Sequence, residues 1–375
     1  MAIGMLKATT PAIGVDFGAS TMKVLQIAPG DRPSLIAASC VETPAELLGD
    51  PLKRLEFQLD ALPGVIRKGK YRGKRLIISA PAAQTWVQHL QVQRADGANM
   101  SQLVSTQLQT QTGHDPSSLV IRHYEVCETQ RGSSSRTETI CIATRRGLVL
   151  RMLQTLRAQK LEVAGVHSEH IALTHALPLL AGESAGEGAT VLLDLGYGTS
   201  KLVIAHGSKP VFAKTIEIAG RTMDELASEQ LGCGLTAAQT RRLRAENLTR
   251  PVDAGESEAA TAVAAPPEEG ARAGELDLSD QLEALTDEIS MCVRYHNALF
   301  PDAPAARAVF VGGETRHEAL GRELARALRL SAHVADPMAP IEGVNGKGRA
   351  VNIDLTEAQP GWALPLGLCL SPADI

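Results

Sequence analysis

Aromatic residues are scarce, at 3% of the 375 positions, so few rings are present on which nucleic-acid bases could stack. Basic residues are not in excess either. The formal charge is −5, and no Lys/Arg stripe interleaved with aromatics offers a face that tracks phosphates. Together these absences exclude a nucleic-acid partner. No apolar run reaches the roughly 20 residues that cross a bilayer. The six cysteines, Cys40, Cys127, Cys141, Cys233, Cys292 and Cys369, are scattered without a C-x-x-C pair or a secretory leader, which reads as reduced, mostly buried thiols of a cytoplasmic protein. Met1 to Pro11, with only Lys7 charged, reads as a disordered lead-in.

Several chemistries are missing as well. There is no G-x-x-x-x-G-K-[ST], and Gly343 to Gly348 is only a loose likeness of one. No G-x-G-x-x-G opens a helix after the first strand, and no G-x-S-x-G elbow occurs. His317-Glu318 lacks the second histidine of a zincin, and the ten histidines are too dispersed to suggest a metal centre.

What is present is a pair. Ile13 to Val24 is an apolar run ending in Asp16, with Gly18 two residues on, then Ser20, Thr21 and Lys23, before apolar residues resume. Such a stretch reads as a hairpin with a tight polar turn whose backbone N–H groups can approach a phosphate. By itself it is also an ordinary turn. Thr190 to Ile204 repeats the grammar, with Asp194, Gly196, Gly198, Thr199 and Lys201 at matching spacing. Repetition at this distance points to two related half-domains, whose hairpins could hold a nucleotide's phosphates from both sides.

The remaining chain supplies a scaffold. Glu46 to Ile66 is helical in pattern, with Pro51 and Pro63 as breaks, and Arg75 to Pro81 and Thr85 to Val92 read as strands. Residues of about 95–165 read as an inserted unit: a helix over Ser101 to Gln111, strands over Leu119 to Val126 and Thr137 to Ala143, and an amphipathic helix over Leu148 to Lys160. Ser168 is a plausible cap for a helix to Leu180. His167, Ser168, Glu169 and His170 lie at that helix start, and Glu169 is the candidate base for orienting an attacking water. Arg250 to Gly274, rich in Ala, Pro, Glu and Gly, reads as a solvated disordered insertion. Leu276 to Phe300 is a long helix with Leu278, Leu282, Leu285, Ile289, Met291 and Val293 on its inner side. Val309 to Glu314 runs into Gly312-Gly313, where a backbone can lie against a ring or ribose. Gly367, inside the apolar run Trp362 to Leu370, marks close packing.

Two Asp-x-Gly hairpins, a Gly-Gly turn and two connecting helices resemble the actin, sugar-kinase and DnaK-type chaperone ATPase superfamily across nearly the whole chain. Within it the sequence is most similar to PilM-type proteins of type IV pilus assembly, relatives of FtsA, through Ile13 to Val24, Arg75 to Val92, Leu192 to Ile204, Ile216 to Leu226 and Trp362 to Leu370. The resemblance implies an α/β, two-lobed actin-like ATPase fold with an inserted FtsA/PilM-type subdomain: lobe I over 11–183, lobe II over 184–349, and a return to lobe I over 350–375. It implies that Asp16 and Asp194 hold Mg²⁺, that Gly18, Ser20, Thr21, Lys23, Gly196, Gly198 and Thr199 meet the phosphates of ATP, and that Gly312, Gly313, Gly220 and Arg221 lie at the nucleoside. Ala19 and Tyr197 depart from the family's hairpin pattern. The implied partner is the short N-terminal cytoplasmic peptide of a PilN-like inner-membrane protein, which makes the chain peripheral to that membrane, with self-association a further expectation. A sugar-kinase-like phosphotransferase and an FtsA-like filament former are the alternatives.

Overall fold

In a computed structural model, the described residues are 10–93, 99–131, 134–182, 188–249, 276–344 and 348–373. The insertion expected over 250–274 and most of the Met1 to Pro11 lead-in lie outside them. The chain opens as a meander: β1 (Ile13–Phe17), β2 (Thr21–Ala28) and β3 (Ser34–Glu42) pair antiparallel in sequence. α1 (Pro51–Gly69) follows, capped by Asp50, whose carboxylate accepts from the N–H groups of Leu52 and Lys53 at 3.1 Å each. Neither proline breaks it. Pro51 takes the first helical position, where a missing N–H is harmless. Pro63 leaves the Leu59 carbonyl without its helical donor, and the Gln159 amide fills that role at 3.1 Å.

Next come β4 (Arg75–Ala80), β5 (Thr85–Gln93), α2 (Met100–Thr112), β6 (Leu119–Arg131), β7 (Ser134–Arg145), α3 (Arg146–Ala158), β8 (Glu162–Ser168) and α4 (Glu169–Leu180). The second half holds β9 (Ala189–Leu195), β10 (Ser200–His206), β11 (Lys209–Ile216), α5 (Gly220–Leu231), α6 (Leu235–Arg244), α7 (Ser279–Leu299), β12 (Ala305–Val311), α8 (Glu318–Leu328), β13 (Ser331–Val334), β14 (Arg349–Val351) and α9 (Ala363–Leu370).

Two large sheets repeat one plan. The first runs β14-β3-β2-β1-β4-β8 and the second β11-β10-β9-β12-β13. In each, a three-strand antiparallel meander is followed by two strands parallel to its first. Helices α4 and α9 lie between them. Their buried Ala172, Leu173, Leu366 and Leu368 share one core with Leu25 and Ile77 of the first sheet and Leu192, Val203 and Val309 of the second. Gly367 makes this contact possible, because a Cβ there would stand 1.9 Å from the Ala172 carbonyl oxygen. Close packing at Gly367, anticipated from the sequence, is therefore helix on helix.

A third sheet, β5-β7-β6, stands apart. On one face α2 buries Val104 and Leu108 against Leu90, Val92 and Leu119. The other face meets β11, where the His89 ring stacks on Phe212 at 4.2 Å and lies 3.0 Å from the Ala213 carbonyl. This unit differs from the one expected over 95–165. Its sheet already begins at Thr85, whereas α3 packs Leu148, Met152 and Leu156 on α1 and the first sheet. The α7 expectation also shifts in detail: Leu282, Leu285, Ile289, Cys292 and His296 face inward and Met291 is half exposed, since a repeat of three and four residues carries the buried stripe to Cys292. Among the described residues no helix is long and apolar enough to cross a membrane.

Candidate functional site between the two hairpins

The seven-residue spacing has a direct structural result. Asp16 lies opposite Lys23 in the β1–β2 register and Asp194 opposite Lys201 in the β9–β10 register, so each hairpin presents an acid and a base on neighbouring strands. Both turns need glycine. A Cβ on Gly18 would stand 2.6 Å from the Thr21 carbonyl oxygen, and one on Gly196 2.7 Å from that of Thr199. Gly312 has φ +101 and backs onto Asp194, whose Oδ1 would be 2.5 Å from a Cβ there.

These pieces converge on one cleft of about 100 Å³. Its wall contains Asp16, Gly18, Ser20, Thr21, Lys23, Glu169, Asp194, Gly196, Gly198, Thr199, Lys201, Gly312 and Gly313. Gly220 and Arg221 are not on that wall. Arg221 donates instead to the Leu48 carbonyl at 2.9 Å and pairs with Glu225 at 2.7 Å, while Gly220 backs onto the Glu314 carboxylate, 2.2 Å from where a Cβ would be. Tyr197 is buried near the same acids, its hydroxyl pushed up to about 12 by burial and by Asp224.

Three contributors escaped the sequence reading. Arg54 and Ala82 line the cleft, and the Gln58 amide donates to the Gly18 carbonyl at 2.8 Å. Arg54 and Gln58 are one helical turn apart beside the apolar positions Leu55, Leu59 and Leu62. Two polar residues four apart, interleaved with the apolar stripe of α1, were the available signal.

Charge in the cleft is unevenly satisfied. Asp16 is buried with an unpartnered Oδ1, and its pKa is pushed up to about 7, chiefly by burial, with Lys23 opposing. Lys201 is the reverse case. Its ammonium sits 2.8 Å from Asp194 Oδ2, 3.1 Å from Glu169 Oε2 and 3.4 Å from the Thr199 carbonyl. Burial opposes its charge, but Asp194 and Glu169 outweigh burial and hold its pKa above the usual lysine range. Glu169 accepts the Ala82 N–H at 2.8 Å with its other oxygen. Both carboxylate oxygens are engaged, so Glu169, the sequence's candidate base, is a cross-brace between Lys201 and the Ala82 backbone here.

Nor do these residues fit a Mg²⁺ ion shared between Asp16 and Asp194. Asp194 Oδ2 already faces the Lys201 ammonium at 2.8 Å, and the same ammonium lies 3.1 Å from Glu169 Oε2, so the second carboxylate of the pair is neutralised by the chain itself.

His170, next to Glu169, is buried, with Nε2 3.2 Å from the Thr215 hydroxyl and Nδ1 unpartnered. Burial first, and Lys201 second, lower its pKa from 6.5 to about 4. The unfolded imidazole takes its proton near 6.5 and the folded one near 4, so across that window the unfolded chain binds more protons. The stabilisation is complete above pH 6.5 and is lost as pH falls towards 4. Urea unfolding from pH 7 to 4.5 should therefore show a shallower decline in midpoint for His170→Asn than for the wild type.

No protein-family model matches the chain, and no curated protein matches it. Among solved structures it is similar to the PilM-PilN type IV pilus biogenesis complex, with a TM-score of 0.69 over 96% of this chain and 98% of that one at 18% identity. It is also similar to MreB5 of Spiroplasma citri bound to ADP, with a TM-score of 0.49 over 96% and 95% of the two chains at 12% identity. Ethanolamine utilization protein EutJ from Carboxydothermus hydrogenoformans gives 0.45 over 96% and 89% at 11% identity. The chain has the two-lobed actin-like ATPase fold.

Proposed function

We propose that this chain is a nucleotide-binding, actin-like scaffold of a pilus-assembly platform that holds the cytoplasmic tail of a PilN-like inner-membrane protein. The observation that carries the reading is a groove distinct from the cleft. A cavity of about 460 Å³ runs between Val120, Arg122 and Tyr124 of β6 and Val166, His167 and Ser168 of β8, floored by Val149, Leu150 and Leu153 of α3. Among the described residues β6 and β8 are both edge strands, each with one strand neighbour. Edge strands offer unpaired backbone donors and acceptors, and the apolar floor offers side-chain pockets, which together suit an extended peptide. The likeness to a solved PilM-PilN complex supports PilN as the model for the partner.

ATP is the proposed ligand of the cleft. Support comes from the glycine turns, the hydroxyls of Ser20, Thr21 and Thr199, and the cations Lys23 and Arg54 on the wall. A pocket for a whole small-molecule ligand is typically about 300 Å³ or more, so the cleft of about 100 Å³ takes phosphates as it stands and the lobes must part for the nucleoside. Because the third sheet rests on β11 through His89 and Phe212, parting the lobes bears on the groove. Glu169, with both oxygens bonded, favours switching over turnover.

Calorimetric titration with the partner's tail peptide tests this reading. Leu150, half exposed on the groove floor, should when changed to Asp weaken peptide binding at least about tenfold with the melting temperature unchanged, and ATP should shift wild-type affinity by about fivefold or more. Equal affinity for wild type and Leu150→Asp would sink the groove assignment.

A further inference from the structure

Asp194 and Glu169 come from different elements, the end of β9 and the start of α4, yet both direct a carboxylate oxygen at one ammonium. Lys201 donates to those two oxygens and to the Thr199 carbonyl, which uses all three of its protons. The approach is built into the hairpin. A Cβ on Gly196 would stand 2.7 Å from the Thr199 carbonyl oxygen that Lys201 also meets and 3.1 Å from Nζ, so a side chain there would crowd both. Lys201 is 7% exposed, and a buried cation of this kind is retained only when its partners are close and its protons are satisfied. On the opposite wall Lys23 and Arg54 face the same cleft as Asp16. Three cations thus stand against Asp16, Asp194 and Glu169 before any ligand enters, while Glu314, the fourth carboxylate on the wall, is paired with Arg242 at 2.8 Å.

We propose that Lys201 is the resident cation of the cleft: its ammonium neutralises Asp194 and Glu169 where a divalent ion would otherwise sit, so the polyphosphate of a nucleotide is received without a divalent cation. The inference rests on the nucleotide reading of the cleft. It makes the second hairpin's lysine a specificity determinant for cation-free phosphate binding, and it leaves Lys23 and Arg54 to meet the added negative charge.

The test is calorimetric titration of ATP into the full chain, once with excess EDTA and once with Mg²⁺, together with Mn²⁺ alone followed by electron paramagnetic resonance. Wild-type affinity for ATP should agree within about twofold in the two media, and Mn²⁺ should stay in its free form. Lys201→Ala should bind ATP at least about tenfold more weakly in EDTA, recover with Mg²⁺, and immobilise one Mn²⁺. The wild-type arms need no variant, so a misfolded Lys201→Ala does not rescue the idea. Wild-type ATP binding that is lost in EDTA but present with Mg²⁺ overturns the proposal and leaves the nucleotide reading standing. Tight wild-type Mn²⁺ binding that Asp194→Asn removes also overturns it. Absence of ATP binding in both media removes the nucleotide reading and this proposal with it.

Discussion

Arg242→Met is expected to lower the unfolding free energy by about 3–5 kcal/mol. The guanidinium is fully buried, with Nε 2.6 Å from Asp224 Oδ1 and Nη2 2.8 Å from Glu314 Oε2. The backbone of the same residue is also held, its carbonyl 2.9 Å from His317 Nε2. Removing the cation strands Asp224, which is fully buried, and Glu314, which borders the cleft, and Gly220 against Glu314 leaves no slack for rearrangement. Even with Arg242 present, burial pushes Asp224 up to about 6. Without it the opposing influence on Asp224 is gone and its carboxyl takes a proton more readily, so the variant should regain part of its loss as pH falls from 7 towards 5, the folded state now binding more protons than the unfolded one. Urea melts at the two pH values measure both effects. A loss below about 1 kcal/mol at pH 7 would mean that water or another cation takes the place of Arg242.

Gly367→Ala should cost about 3 kcal/mol, against the gain of roughly 1 kcal/mol that Gly→Ala brings to an unobstructed helix interior. The added methyl would stand 1.9 Å from the Ala172 carbonyl oxygen and 3.3 Å from the Leu173 nitrogen. Those atoms are backbone of α4, so no rotamer change relieves the clash and α4 and α9 must separate. Because this pair carries the core that joins the two large sheets, the melting temperature and soluble yield should fall together. Gly147→Ala, also helical, is the control: its Cβ would meet nothing within 4 Å, and its melting temperature should hold or rise.

Local features of this fold were legible because their causes are local. The hairpin glycines, the Asp–Lys register, the Gly312 turn and the cap at Ser168, which accepts from the Ile171 N–H at 3.3 Å, follow from a few neighbouring residues. The rest depends on partners remote in sequence. Lys23 and Lys201 hold equivalent positions, and only Lys201 receives Glu169 from α4. Pro63 reads as a helix break until Gln159, nearly a hundred residues on, supplies the missing donor. Arg221 follows the second hairpin as a ribose contact should, yet Leu48 and Glu225 claim its guanidinium. Thr85 begins a third sheet instead of extending the first because its partner strand, β7, arrives about fifty residues later. In each case the competing interaction has a sequence separation that periodicity and spacing do not sense.

Glu169 touches Lys201 with one oxygen and the Ala82 N–H with the other, and Ala82 stands between β4 and the first strand of the third sheet. One carboxylate is therefore a latch across two territories. A change at Lys201 bears on the side chain that braces the root of β5. The charge balance of the cleft and the seating of the third sheet thus depend on the same two oxygen atoms.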